Sequence, residues 1–458
     1  MEGYEVFLRR QAALALSERT TPNDITAFVE ANQPTGTTPD DPNAWDAFYT
    51  ALSRKNEADL LVAPGTTVGV RGVYTDYVLI YDNSRPRNMD EEDLEYFAAC
   101  EDLARRSLVA YHEGGVFDSL REIAARRRAV RPITIGAQGQ PMRASIALPE
   151  LGKAREFARI NAARMHLALE AGDLGEYVDA LETNFAIARI CAHQPFMIDA
   201  LVANAIESLT LNRVRMSLGS FPSRDWLDAI EGALDRQRVT LPVSHYLGGE
   251  RLWSLDAVAW TFSDPSNVRF GANSAAFGAF MAGAPPTSTL WVGTYSGNRD
   301  AFNRYFDETM RRADQPPHAR DPAAEQPKGL LTEAFLSTMQ AALQSFDRIR
   351  IDRDGLRVLI ALERYRLRHG DYPDSLAQLL PDCIDRLPSD PWSGLPFGYV
   401  RVDPARDHLG RSFLLYSVGA DGTDDAGREA MTPDDRNKTT SPDGQPRLKG
   451  YNYVFNRD

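Results

Sequence analysis

The chain has 458 residues and a mass of 50.9 kDa; 43% of the residues are hydrophobic and 25% charged, with a formal net charge of −13 and a pI near 5.2. That length suggests two to four domains with room to bury real cores, and the composition excludes wholesale disorder. The negative balance excludes a global basic footprint for nucleic acid and is repelled by anionic lipid.

In chain order, the first 21 residues predict one amphipathic helix ending before Pro22. Glu2, Glu5 and the Arg9-Arg10 pair make it unlike a signal peptide. After the TTPDDPN stretch, residues 43–49 open a second helix. Residues 66–81 alternate and are rich in Val, Thr and Tyr, which suits one or two strands or a buried extended segment. From Asp90, Leu94, Phe97, Ala98, Leu103, Leu108 and Tyr111 form a helical stripe that Gly114-Gly115 breaks. A further helix is predicted over 116–129. Its basic end, Arg126-Arg127-Arg128, suits either an anion or the dipole of the helix C-terminus.

Residues 150–262 are the clearest helical stretch. Helices are predicted over 151–171, 174–193, 195–218, 225–238 and 245–262. The junction at Gly172-Asp173 resembles a tetratricopeptide-type αα-hairpin turn, but no strict repeat period follows. Residues 264–330 are rich in Gly, Pro, Ala and Ser apart from a helix near 299–312. Within them, Phe270 to Pro285 is too short and too weakly apolar to span a membrane, and no run of about 18 apolar residues occurs elsewhere. Residues 316–329 have the composition of a linker or exposed loop. A long helix over 330–368 follows, then strands over 396–402, 412–418 and 451–455.

Chemical motifs are sparse. GxSxG, GxxxxGK[ST] and GxGxxG do not occur, and His112-Glu113 has no second His to complete HExxH. The seven His are scattered; His166 reads as a packed residue. Cys100, Cys191 and Cys383 are far apart with no CxxC, so buried thiols are expected, with one long-range bridge as the alternative. Glu250, in a helix with Arg251, Trp253 and Trp260, suits a buried acid with a raised pKa or an ion pair between helices.

One set of motifs is more specific. Tyr365 and His369-Gly370-Asp371-Tyr372-Pro373 are followed by Leu387-Pro388-Ser389-Asp390-Pro391-Trp392, and then by Tyr416-Ser417-Val418-Gly419-Ala420-Asp421-Gly422. In this order they resemble the globular end of the major pseudopilin of type II secretion systems, over about residues 350–427. The whole chain is also similar to bacterial proteins, often membrane-anchored and typical of planctomycetes, that join a helical region to such a tail. The resemblance implies a calcium ion in the loop after the second strand. Its ligands would be Asp421, with Asp424 or Asp425 as second carboxylate, and backbone carbonyls near Leu415 and Ser417. Ca²⁺ takes six to eight hard oxygen ligands, which a tight Gly-containing loop can converge. Between 419 and 444, seven acidic residues stand against three basic ones. The chain departs from the family in its shortened Ala426-Gly427 turn, and the family's cleavage motif and apolar half-helix are absent. A tail behind about 330 residues of other sequence is not expected to polymerise as a pseudopilin does.

The expected fold class is α+β overall, predominantly α. Residues 1–315 form a helical bundle or αα-hairpin array and 330–458 a pseudopilin-like long helix with a small antiparallel sheet. The expected function is a non-catalytic structural or interaction protein with a calcium-stabilised tail. The alternatives are a hydrolase using an acidic helical cleft around Glu250, and a cytoplasmic helical adaptor. Partners are expected to be proteins, not nucleic acid, with membrane contact only through an anchor missing from this chain. The resemblance places the protein outside the cytoplasm or in the cell envelope.

Overall fold

The computed structural model describes residues 2–62, 91–133, 146, 148–236, 241–263, 294–320, 339–407, 409–419, 422–428 and 452–456. The expected strands at 66–81, the Gly/Ala segment 270–285, most of the expected linker and Asp421 lie outside them. Among the described residues the protein is predominantly helical, with one small antiparallel sheet near the C-terminus.

The helices are α1 (Glu2–Ser17), α2 (Pro22–Ala31), α3 (Ala44–Val62), α4 (Glu91–Glu113), α5 (Val116–Ala125), α6 (Pro149–Ala171), α7 (Leu174–Ala192), α8 (Met197–Ser217), α9 (Arg224–Arg236), α10 (Val243–Ser263), α11 (Tyr295–Ala313) and α12 (Met339–His369). Local chemistry sets several boundaries. Thr21 and Asp24 form a reciprocal capping box that starts α2 at Pro22. Gly172, at φ +70°, ends α6 in the left-handed region, and the side chain of Asp173 then caps α7 by accepting from the Glu176 amide at 2.9 Å. No described helix is long and apolar enough to cross a membrane.

α5 stops at Ala125, four residues short of the expected end, because the chain beyond it pairs with residues 43 and 44. The Ala44 amide donates to the Arg128 carbonyl at 2.8 Å. The three arginines therefore stitch extended chain to its neighbours: Arg126 to Glu122 and the Asn43 carbonyl, Arg127 to the Thr35 carbonyl, and Arg128 to Glu30.

α6, α7 and α8 pack successively, with α5 against α7 and α3 against α5. A buried polar ladder fixes how the three meet. Asn161 on α6 donates to Asn184 Oδ1 on α7 at 3.0 Å, and Asn184 donates to Thr210 Oγ1 on α8 at 3.1 Å. Because buried amides must be satisfied, sliding any of these helices by one residue would orphan several polar atoms.

β1 (Gly398–Arg401), β2 (Phe413–Ser417) and β3 (Tyr453–Val454) form an antiparallel sheet in that order, with Gly398 opposite Tyr416 and Tyr416 opposite Val454. α12 runs unbroken through Gly355 and packs on β2, α8 and α9. One hydrophobic cluster runs from Ala44 through Leu234 and continues through Leu356, Leu359 and Ile360 of α12 to Leu415 and Phe455 of the sheet region. Each such buried side chain contributes about 1.5–3 kcal/mol. Ion pairs reinforce the seam: Arg353 with Glu207, Arg357 with Asp235, and Arg364 with Asp228 at 2.6 Å and with Glu231. The start of the 316–329 stretch is pinned as well. The His318 amide donates to the Pro391 carbonyl at 3.1 Å, and Arg320 clamps the buried Asp347 through two bonds of 2.7 Å.

Candidate metal site

The loop that leaves β2 is built from the Leu387–Trp392 motif upward. Asp390 is 1% exposed, and its carboxylate reaches the end of β2. Oδ1 accepts from Ser417 Oγ at 2.9 Å and from the Trp392 amide at 3.0 Å; Oδ2 accepts from the Val418 amide at 2.9 Å. Ser417 Oγ in turn accepts from the Gly419 amide at 3.1 Å. The chain then turns through left-handed conformations at Gly419, Gly422, Ala426 and Gly427, positions where glycine is the least strained residue.

Asn452, just before β3, closes this loop. Its Nδ2 donates to the Thr423 carbonyl at 2.9 Å and to the Val418 carbonyl at 3.4 Å, while Oδ1 accepts from the Asp425 and Gly427 amides at 3.0 and 2.9 Å. Its own amide donates to the Arg428 carbonyl at 2.6 Å. One buried carboxamide thus gathers both sides of residues 418–428.

The candidate ligands separate within this frame. Asp424 Oδ1 accepts from Tyr416 Oη at 3.0 Å and from the Ala426 amide at 2.8 Å, and burial, together with the neighbouring carboxylate, pushes the Tyr416 phenol up to about 12. Asp425 Oδ2 is buried and has no hydrogen-bond partner. Ser417 is wholly buried, its hydroxyl held by Asp390. Leu415 lies deeper in the sheet: its amide donates to Asn456 Oδ1 at 3.1 Å and its carbonyl accepts from the Phe455 amide at 2.8 Å. Asp421 is outside the described residues, and among those described no three His, Cys, Asp or Glu side chains converge as a metal cluster.

One group of the loop suits a hard cation: Asp425 Oδ2 is a buried carboxylate oxygen with no donor, which a bound cation would satisfy. Asp424, Asp425 and loop carbonyls are the described groups that would hold it. Asp390 and Asn452, which shape the loop, were not legible as site residues. Asp390 sits in a quoted motif without a stated partner, and Asn452 lies in an aromatic strand where nothing local marks it.

Glu250 is buried at the contact between α10 and the start of α8. Gly249 lets α10 approach the Pro195 carbonyl so closely that any Cβ there would collide with it. Glu250 Oε1 then accepts from the Met197 amide at 2.9 Å, at the start of α8, where a carboxylate suits the helix dipole. Arg251 turns away to Asn303 and Asp307 of α11. Three open cavities, of about 390, 570 and 320 Å³, lie along α12, and Glu250 lines none of them. His166 lies 2.5 Å from Arg213 and 3.2 Å from Glu170, and the three cysteines are buried thiols.

Compared with protein-family models, curated proteins and solved structures, the chain gives no match. The pseudopilin resemblance therefore rests on the chain's own motifs.

Proposed function

We propose that this is a structural or interaction protein, a helical array carrying a pseudopilin-like tail whose last loop is closed by Ca²⁺, working through protein partners outside the cytoplasm. The observation that carries the reading is Asp425 Oδ2, a carboxylate oxygen buried without a donor in the loop after β2. The hydrophobic cluster that runs from the helices into the sheet region supports a scaffold role. A site with few carboxylates suits the weak affinities of extracellular calcium modules, about 10⁻⁴–10⁻³ M.

Isothermal titration of Ca²⁺ into the chelator-treated chain tests this. The expected result is saturable binding that Asp425→Asn weakens at least tenfold, with Mg²⁺ a poor competitor. Absence of any saturable heat for Ca²⁺ would remove the calcium from the reading.

A further inference from the structure

α2 is seated on the other helices through a small apolar cluster, separate from the main one, in which Ile25 and Val29 pack with Val130, Phe196 and Trp253. Phe28, on the same helix, lies with its ring 5.3 Å from that of His245 in the first turn of α10. It also covers Gly248, where a Cβ would stand 3.1 Å from Phe28 Cε2. His245 is 8% exposed and is hydrogen-bonded to the Gln194 backbone, and its Nε2 is buried with no partner. His193, the residue that ends α7, is 7% exposed, and its Nδ1 is likewise buried with no partner. The two rings lie within reach of each other's charge.

The charge acting on this pair is positive. Arg189 of α7 donates to the Ile123 and Arg126 carbonyls at 2.7 and 3.0 Å, and none of its partners among the described residues is a carboxylate. Arg127 stands near enough to Arg189 to repel it. The carboxylates of the surrounding elements are bonded to other groups: Glu30 of α2 to Arg128, Asp24 to Thr21, Glu122 of α5 to Arg126, Asp199 of α8 to Arg131, and Glu250 and Asp256 of α10 to the Met197 amide and Arg19. A proton on either ring therefore brings a buried charge without a counterion. Burial and Arg189 hold His193 down at about 4, and burial lowers His245 as well. Once water reaches a ring it returns toward 6.5, so each proton taken up as pH falls below that value favours the open form.

We propose that His193 and His245 form an acid-sensitive latch: in acid the seat of α2 on α10 opens while the main helical core stays folded. α2 is a ten-residue helix that buries only Ile25 and Val29. Opening it exposes far less apolar surface than unfolding α6, α7 and α8, so it is the first element that two buried protons can release. None of these residues belongs to the loop after β2, so the latch and the calcium assignment stand or fall separately.

The test is hydrogen exchange of the full chain at about pH 7 and about pH 4.5, corrected for the intrinsic pH dependence of exchange. Protection of the α2 amides is expected to fall by about tenfold or more in acid, while that of α6 and α8 is kept. In the double variant His193→Phe, His245→Phe the acid loss in α2 should disappear. Phe28→Ala is the second variant, on a half-buried side chain of the outer helix, and should weaken α2 protection already at neutral pH. Acid-insensitive α2 protection, a loss that survives the double substitution, a loss shared equally by α6 and α8, or unchanged α2 protection in Phe28→Ala would overturn the proposal.

Discussion

Phe455, just past β3, packs onto Gly355, the single glycine of α12: a Cβ at Gly355 would stand only 2.5 Å from Phe455 Cδ1. Both residues are buried, and the contact docks the end of the chain onto its longest described helix. In an isolated helix Gly→Ala gains about 1 kcal/mol. Here Gly355→Ala is expected to lose about 1–3 kcal/mol through overpacking. Urea denaturation monitored by circular dichroism measures it, and a stabilised variant would mean that Phe455 does not dock there.

Asp390 ties the loop before β1 to the end of β2 through two accepted hydrogen bonds, from the Ser417 hydroxyl and the Val418 amide. Asp390→Ala leaves the Val418 amide and the Ser417 hydroxyl buried without an acceptor, at a cost of about 3 kcal/mol. Hydrogen exchange is expected to quicken at Val418 and Gly419 before it does in α6 and α7. Unchanged exchange at Val418 would show that the bond does not hold the strand end.

Arg131 and Asp199 form a buried bidentate pair, at 2.6 and 3.2 Å, that joins the segment after α5 to the first turn of α8. Arg131→Met strands a carboxylate in the interior and is expected to cost about 3–5 kcal/mol; adding Asp199→Leu should recover most of that loss, because the burden is the uncompensated charge. Thermal unfolding of the single and double variants decides it, and a double variant as weak as the single one would contradict the reasoning.

His193 is buried, and burial, helped by the positive charge of Arg189, pushes its pKa from 6.5 down to about 4. Above 6.5 the ring is neutral in both folded and unfolded chains, and its contribution to stability is complete. As pH falls from 6.5 toward 4 the unfolded chain takes up a proton that the folded chain refuses, so stability declines through that window. His193→Phe is expected to flatten that part of the stability–pH curve by on the order of 1–3 kcal/mol. Identical curves for the two proteins would place His193 in contact with water.

The sequence made the helices and strands legible where local chemistry decides them. The break at Gly172-Asp173 carries both a left-handed stop and an N-cap, and the three short strands fall inside the expected segments. It was misleading at Arg126-Arg127-Arg128, where a helix-ending charge pattern is overridden by pairing with residues 43 and 44, more than 80 positions away. Nothing local marks Gly355, whose meaning lies in an aromatic ring 100 residues later. Asn452 and Asp390 were illegible as loop-forming residues for the same reason: their bonds reach 24 to 34 and 2 to 28 positions along the chain. The resemblance names Asp424 and Asp425 as candidate ligands, and the structure separates them, one bonded by Tyr416 and one with a bare oxygen.

Calcium closing the loop after β2 is the central claim, and a thermal melt tests it most directly. The chain should unfold at a higher temperature in excess Ca²⁺ than in chelator, by the equivalent of about 2.7 kcal/mol when the ion is at a hundredfold its dissociation constant. The shift should vanish in Asp425→Asn. Superimposable melts with Ca²⁺ and with chelator would contradict the account.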